Sequence, residues 1–144
     1  MIGRKPNLED WQASYERKLV SEEVAAKKVK SGDNIFIASG YYGKVASAIA
    51  ARHGELRDVN VEYQAPAFDP GWLSPGMEDA FRIIVRIYLG GPARLIHDEG
   101  RLEFLPYTNG TWSKPYRDNR SEKREIDVFL VAVSPPDENG SPEA

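Results

Sequence analysis

Three short stretches of this chain carry residue types that do chemistry at the ends of strands. The first is Ser134-Pro135-Pro136-Asp137-Glu138-Asn139-Gly140, which follows residues 126–133, a run apolar at almost every position. A proline cannot donate a ladder hydrogen bond, so a strand must stop there. Loops at the carboxyl ends of strands are where open α/β sheets usually hold their ligands. Asp137 and Glu138 are adjacent carboxylates that could exchange protons with a substrate; the same residues also suit a plain tight turn after a buried strand. The second stretch is Ser39-Gly40-Tyr41-Tyr42-Gly43, between an apolar run and a helical pattern. Strand, glycine turn and helix together offer backbone N–H groups and a positive helix end to an anion. Gly40 and Gly43 alone fall short of a dinucleotide fingerprint, and a turn needing positive φ accounts for them equally well. The third is Gly90-Gly91-Pro92, which closes residues 83–89. His53 and His97 each stand near the carboxyl end of a predicted helix, where a cation is favourable, and neither has partners at metal-ligand spacing. No nucleophile elbow is present. The residues therefore give strand-end loops but no complete catalytic set and no metal site.

These turns need elements to hold them. Asn7 is a suitable N-cap, and Leu8, Trp11, Tyr15 and Leu19 recur at helical spacing, which predicts an amphipathic helix over 8–19 with Trp11 and Tyr15 in the core. Ser21 opens a second predicted helix, with Glu22 and Glu23 at its positive end and Gly32 as its stop. Residues 35–38 predict a strand, and 44–53 a helix whose packed face holds Val45, Ala48, Ile49 and Arg52. Val59, Val61 and Tyr63 alternate with Asn60, Glu62 and Gln64, the pattern of a strand less buried than the others. Residues 65–78 read as a loop over the sheet, because a linker would not carry Phe68, Trp72 and Leu73. Residues 83–89, broken by Arg86, predict another strand. Pro92 then starts a short helix that Gly100 stops. A strand follows at 102–105, then a polar, turn-rich stretch, 106–125, that reads as a mobile surface excursion. Residues 126–133 have the composition of a strand covered on both faces. This alternation predicts an α/β fold with an open, mostly parallel sheet flanked by helices, in one domain of residues 1–144 with an unstructured tail at 141–144.

Bulk properties narrow the function class. A chain of 144 residues is long enough for a core. At 41% apolar and 28% charged residues its composition is that of a globular protein. A net charge of −3 with the signs mixed along the chain gives no footprint for nucleic acid or an anionic membrane. No apolar run approaches the length of a membrane span, and the opening MIGRKPNLEDW lacks the apolar segment of a signal peptide. The absence of cysteine removes disulfides, thiolate metal sites and a cysteine nucleophile, and fits a cytoplasmic protein.

Several pieces of the sequence, in order, point to a known family. They are DWQASYERKLVSEEVAAKKVKSGDNIFIASG over residues 10–40; Phe81-Arg82; Leu89-Gly90-Gly91-Pro92-Ala93-Arg94; Glu99-Gly100-Arg101; and, matching best, residues 133–140. Together they resemble the amino-terminal half of the acetyl-CoA hydrolase/transferase family, which includes the 4-hydroxybutyrate CoA-transferase-like enzymes. The resemblance implies a CoA-transferase-like domain and coenzyme A as a substrate rather than a resident cofactor. It implies a reaction in which a glutamate carboxylate attacks an acyl-CoA thioester to form an acyl-glutamyl anhydride and CoA thiolate, the thiolate returns to give a glutamyl-CoA thioester as the acyl group leaves as its carboxylate, and a small carboxylate acceptor, or water in the hydrolases, completes the cycle.

The family's nucleophilic glutamate lies in the second half of a longer chain. The resemblance therefore implies no catalytic residue here, an incomplete sheet, and a catalytic half or second subunit elsewhere, in a homo-oligomer. Gly40, Gly43, Gly90, Gly91, Ser134, Pro135, Pro136, Asp137 and Gly140 would form one wall of the acyl-CoA site. Two other functions stay open at this point: a non-catalytic α/β binding or interaction module with exposed apolar surface, and a nucleotide binder using the Gly40–Gly43 turn.

Overall fold

The fold is read from a computed structural model, which describes residues 11–38, 43–64, 66, 68–87, 90–108, 110–111, 113–120 and 124–136. Its centre is a five-stranded, all-parallel sheet. The strands are β1 (Asn34–Ile37), β2 (Val59–Tyr63), β3 (Phe81–Val85), β4 (Leu102–Phe104) and β5 (Val128–Leu130), in spatial order β4-β3-β2-β1-β5. The helices are α1 (Trp11–Lys18), α2 (Glu22–Ala26), α3 (Lys44–Ala50), α4 (Pro92–Asp98) and α5 (Lys114–Arg117). None of the described helices is long and apolar enough to cross a membrane.

The winding explains how the two sheet faces are covered. From β1 to β4 the chain steps in one direction, and parallel crossovers are right-handed, so those connections pack on the same face. That face carries Ile35, Ile37, Val59, Val61, Tyr63, Ile83 and Val85, which meet Ala46, Ile49 and Ala50 of α3 and Ala93 and Ile96 of α4 in one core. Ala26 and Val29 join it, and Arg52 donates to the Ala26 and Val29 carbonyls, the latter at 3.1 Å, tying the end of α2 to α3. The loop after β2 lays Trp72 over this core as expected, its indole Nε1–H donating to the Tyr63 hydroxyl at 2.6 Å. Burial pushes the Tyr63 phenol well above its usual pKa.

After β4 the direction reverses, and the same handedness rule sends the return connection across the second face. The polar stretch expected to be a surface excursion supplies this crossover, including α5 with its buried Pro115. Polar composition suits the crossover, because the second face carries Asn34, Asn60, Glu62 and Arg82 beside the apolar Phe36 and Ile84. Asp127 Oδ2 accepts from the Asn34 N–H at 2.8 Å and from its side-chain amide at 3.2 Å. Asn60 donates to Asn34 Oδ1 at 3.0 Å, and Arg124 Nη1 donates to Asn60 Oδ1 at 2.6 Å.

Four local expectations change. Strand β2 is central and buried rather than less buried than its neighbours, because its polar side also finds partners. Helix α2 ends at Ala26; Gly32 instead takes φ +85 in the turn before β1, its N–H donating to the Arg57 carbonyl. Helix α1 buries none of its residues, and Tyr15 is exposed, so the expected core role of that helix is absent. The apolar run at 126–133 forms a three-residue strand at an edge of the sheet, where Phe129, Val131 and Val133 are exposed. Asn7, Leu8 and residues 141–144 lie outside the described residues.

Candidate functional site

The carboxyl edge of the sheet gathers the loops that the sequence marks. Strands β1 and β5 are neighbours although more than 90 residues separate them, as the Asn34–Asp127 bond with its separation of 93 illustrates. They flank the point where the winding reverses, which in open α/β sheets is where a crevice forms between loops that part in opposite directions. The two loops start from bonded residues: the Ala38 N–H, first after β1, donates to the carbonyl of Leu130, last in β5, at 3.0 Å. Ser134 and Pro135 are exposed and Pro136 is half-buried on the loop that leaves β5.

The glycines differ from one another. Gly43 caps α3 at φ −75, ψ 150, an extended conformation open to any residue, so the positive-φ expectation does not hold for it. Gly91 caps α4 at φ 53, ψ −138, where a side chain is strained, and Pro92 follows at the start of the helix as expected. Gly90 and Gly91 leave β3, two strands away from β1, so they stand apart from the β1–β5 junction along the same edge. Gly40, Asp137 and Gly140 lie outside the described residues.

Beside that junction, beneath the carboxyl ends of β2 and β3, is a polar cluster that sequence reasoning missed. Arg86 is 2% and Glu62 6% exposed. Arg86 Nη2 donates to Glu62 Oε2 at 2.7 Å, while its Nε lies 2.7 Å from Oε1 but off the line of a hydrogen bond. The Tyr116 hydroxyl reaches both carboxylate oxygens, at 3.1 and 3.3 Å, and the Tyr107 ring lies 5.1 Å from the guanidinium carbon. Burial works against the Arg86 charge, but the Glu62 bond and charge, with Tyr116 and Tyr107, more than reverse this and raise its pKa. Burial, then the charge of Glu62, pushes the Tyr116 phenol up to about 12. The signal in the sequence was an arginine inside an apolar run, which requires a buried partner. The pair is too enclosed to touch a substrate. It can hold the return crossover in register under the candidate site.

A second hollow lies elsewhere. A cavity of about 530 Å³ opens at the amino edge of β2, β3 and β4, beside Asp58, Asn60, Glu78, Arg82, Arg101 and Glu103. Its two arginines are already paired, Arg82 with Glu103 and Arg101 with Glu78 and Glu99, and Asp58 adds a further negative charge. Arg101 also donates to the Leu73 carbonyl, so it closes a loop onto the core. Its size suits a ligand, but both arginines that could take an anion there are held by carboxylates and Asp58 leaves the rim acidic, so for an anionic ligand the carboxyl edge is preferred. His53 is exposed and His97 packs edge-on to Phe104 at 6.4 Å; the described residues contain no cluster able to hold a metal ion.

Comparison with known proteins adds no identity: no family model matches the chain, and no curated protein is similar to it. The family resemblance rests on the residues quoted for it.

Proposed function

We propose that this chain is the amino-terminal part of a CoA-transferase that moves CoA between a short acyl-CoA and a carboxylate acid, or of an acyl-CoA hydrolase. It supplies one wall of the acyl-CoA site, and the nucleophilic glutamate comes from outside residues 1–144. The observation that supports this most is the Ala38–Leu130 bond. It sets the starts of the two candidate loops side by side at the winding reversal, as a shared substrate wall requires. Alone, the chain turns over no acyl-CoA. That follows from the reading itself, in which thioester exchange needs the glutamate that lies outside this chain.

The test is an amide chemical-shift titration with acetyl-CoA. Perturbations are expected at Ala38, Gly43 and Val131 to Ser134. Shifts confined to Asp58, Arg82, Arg101 and Glu103 would place binding at the amino edge and sink the proposal, as would the absence of any shift. The second function, an interaction module without catalysis, draws on a different observation, the exposed apolar residues of β5. It is the reading left standing if acetyl-CoA does not bind.

A further inference from the structure

The cavity at the amino edge stands apart from the proposed acyl-CoA wall. At about 530 Å³ it has the volume of a small-molecule site. Phe81, Ile83 and Leu102, each almost fully buried, give it an apolar wall where β3 and β4 begin. The rest of its lining is polar, and its polar groups divide into spent and unspent. Arg101 is spent on Glu78, Glu99 and the Leu73 carbonyl. Asn60 is spent on Asn34 and Arg124. Arg82, by contrast, gives its Nε and Nη2 to a single oxygen, Glu103 Oε1. Among the described residues its Nη1, Glu103 Oε2 and both oxygens of the exposed Asp58 make no hydrogen bond. Unspent acceptors and an unspent donor therefore border one cavity.

These leftovers select the ligand. Asp58, Glu78 and Glu103 stand against Arg82 and Arg101, three carboxylates against two guanidiniums, so the lining carries one net negative charge. An anion meets that charge, and its oxygens only accept. An ammonium only donates, so it answers Asp58 and leaves Arg82 Nη1 facing another cation. A hydroxyl both donates and accepts. Neighbouring hydroxyls on one ring can donate to the two oxygens of a carboxylate while another accepts from the guanidinium, and the C–H face of the ring suits the apolar wall.

We propose that this cavity binds a small, neutral polyhydroxy ligand of the sugar class through Asp58, Arg82 and Glu103. The site does not depend on the CoA-transferase reading, whose anionic ligand belongs to the other edge of the sheet.

The backbone supplies a clean variant. Asp58 stands at φ +56, a conformation that glycine adopts freely. Asp58→Gly therefore removes both oxygens without backbone strain. The experiment is an amide chemical-shift titration of the full chain with glucose, ribose and myo-inositol, each to about 0.1 M, roughly a hundred times a millimolar dissociation constant. At least one of them should shift Asp58, Arg82, Arg101 and Glu103 saturably and leave Ala38 and Val131 unmoved. Asp58→Gly should weaken that binding by about tenfold or more, the worth of a hydrogen bond to a charged group, with an unchanged circular dichroism spectrum. If Asp58→Gly disturbs folding, Arg82→Gln, at a side chain 56% exposed, serves the same purpose. No saturable shift from any of the three would overturn the proposal, as would undiminished binding to a folded variant. Putrescine and inorganic phosphate are the charged controls. Saturation by either at these amides, tighter than by any of the three, would overturn it in favour of a charged ligand.

Discussion

Arg86 and Glu62 hold most of the chemistry that single residues contribute here. A buried ion pair is weak evidence of net stability, since hydrophobic replacements often do as well, but removing one partner strands the other charge at a cost of roughly 3–5 kcal/mol. Arg86→Met alone should lose about that much in urea unfolding, and Arg86→Met with Glu62→Leu should recover most of it. A double variant as unstable as the single one would mean that the pair does more than neutralise itself. Tyr116 adds a pH dependence. Its folded pKa, about 12, lies above the unfolded value of 10, so its contribution is whole below pH 10 and is lost as pH rises towards 12. Stability should therefore fall across that alkaline window, less steeply in Tyr116→Phe; an unchanged profile would show that the phenol is not held by the carboxylate. The alternating pattern of β2 revealed Glu62 only as a polar position. That it was a buried one depended on Arg86 reaching it from the end of the neighbouring strand, and strand neighbours cannot be read from a linear sequence.

The local elements were legible where the signal was stereochemical. The N-cap at Ser21, which accepts from the Val24 N–H at 3.4 Å, the Pro92 helix start and the Gly100 stop at φ +74 all follow from backbone rules. Helix lengths were less legible: the pattern over 44–53 gives a helix that ends at Ala50, with Arg52 turned to cap α2. The glycines separate backbone need from any binding role. Nothing lies within 4 Å of the place a Cβ would take at Gly91, but its φ is +53. Gly91→Ala should therefore cost about 1–3 kcal/mol through strain alone. Gly43→Ser should be neutral or gain roughly a few tenths of a kcal/mol, since its extended backbone suits a capping hydroxyl. Thermal unfolding of the two variants separates the cases, and a large loss at Gly43 would contradict the conformation described for it.

For the whole molecule, alternation of strand and helix patterns was enough to give a parallel α/β sheet, and the all-parallel order bears that out. The strand order was not legible, because it depends on where the winding turns back, and that turn is made by the stretch with the least periodic sequence, 106–125. The order in turn decides that the two candidate loops start side by side, from Ala38 and Leu130, and that the apolar β5 lies at an edge. It also makes the return crossover a unit of its own. Among the described residues its polar anchors to the sheet include the Tyr107 N–H, which donates to the Arg86 carbonyl at 2.7 Å, the Leu105 N–H, which donates to Val85 at 2.9 Å, and the side chains of Tyr116 and Arg124, which donate to Glu62 and Asn60. The core on the other face is apolar and continuous. Of its described residues from 106 to 120 only Pro115 is buried, and a segment that buries little apolar surface opens at lower free energy than the core beneath it. Native-state hydrogen exchange should find Tyr107, Arg117 and Arg120 opening together, well before Val61 and Ile83. Arg86→Met should speed exchange in the crossover at least tenfold while the β2 and β3 amides change only by the global loss in stability. If crossover and central strands instead opened as one unit, the second face would be as integral to the fold as the first, and the buried pair could not be acting as a local clamp.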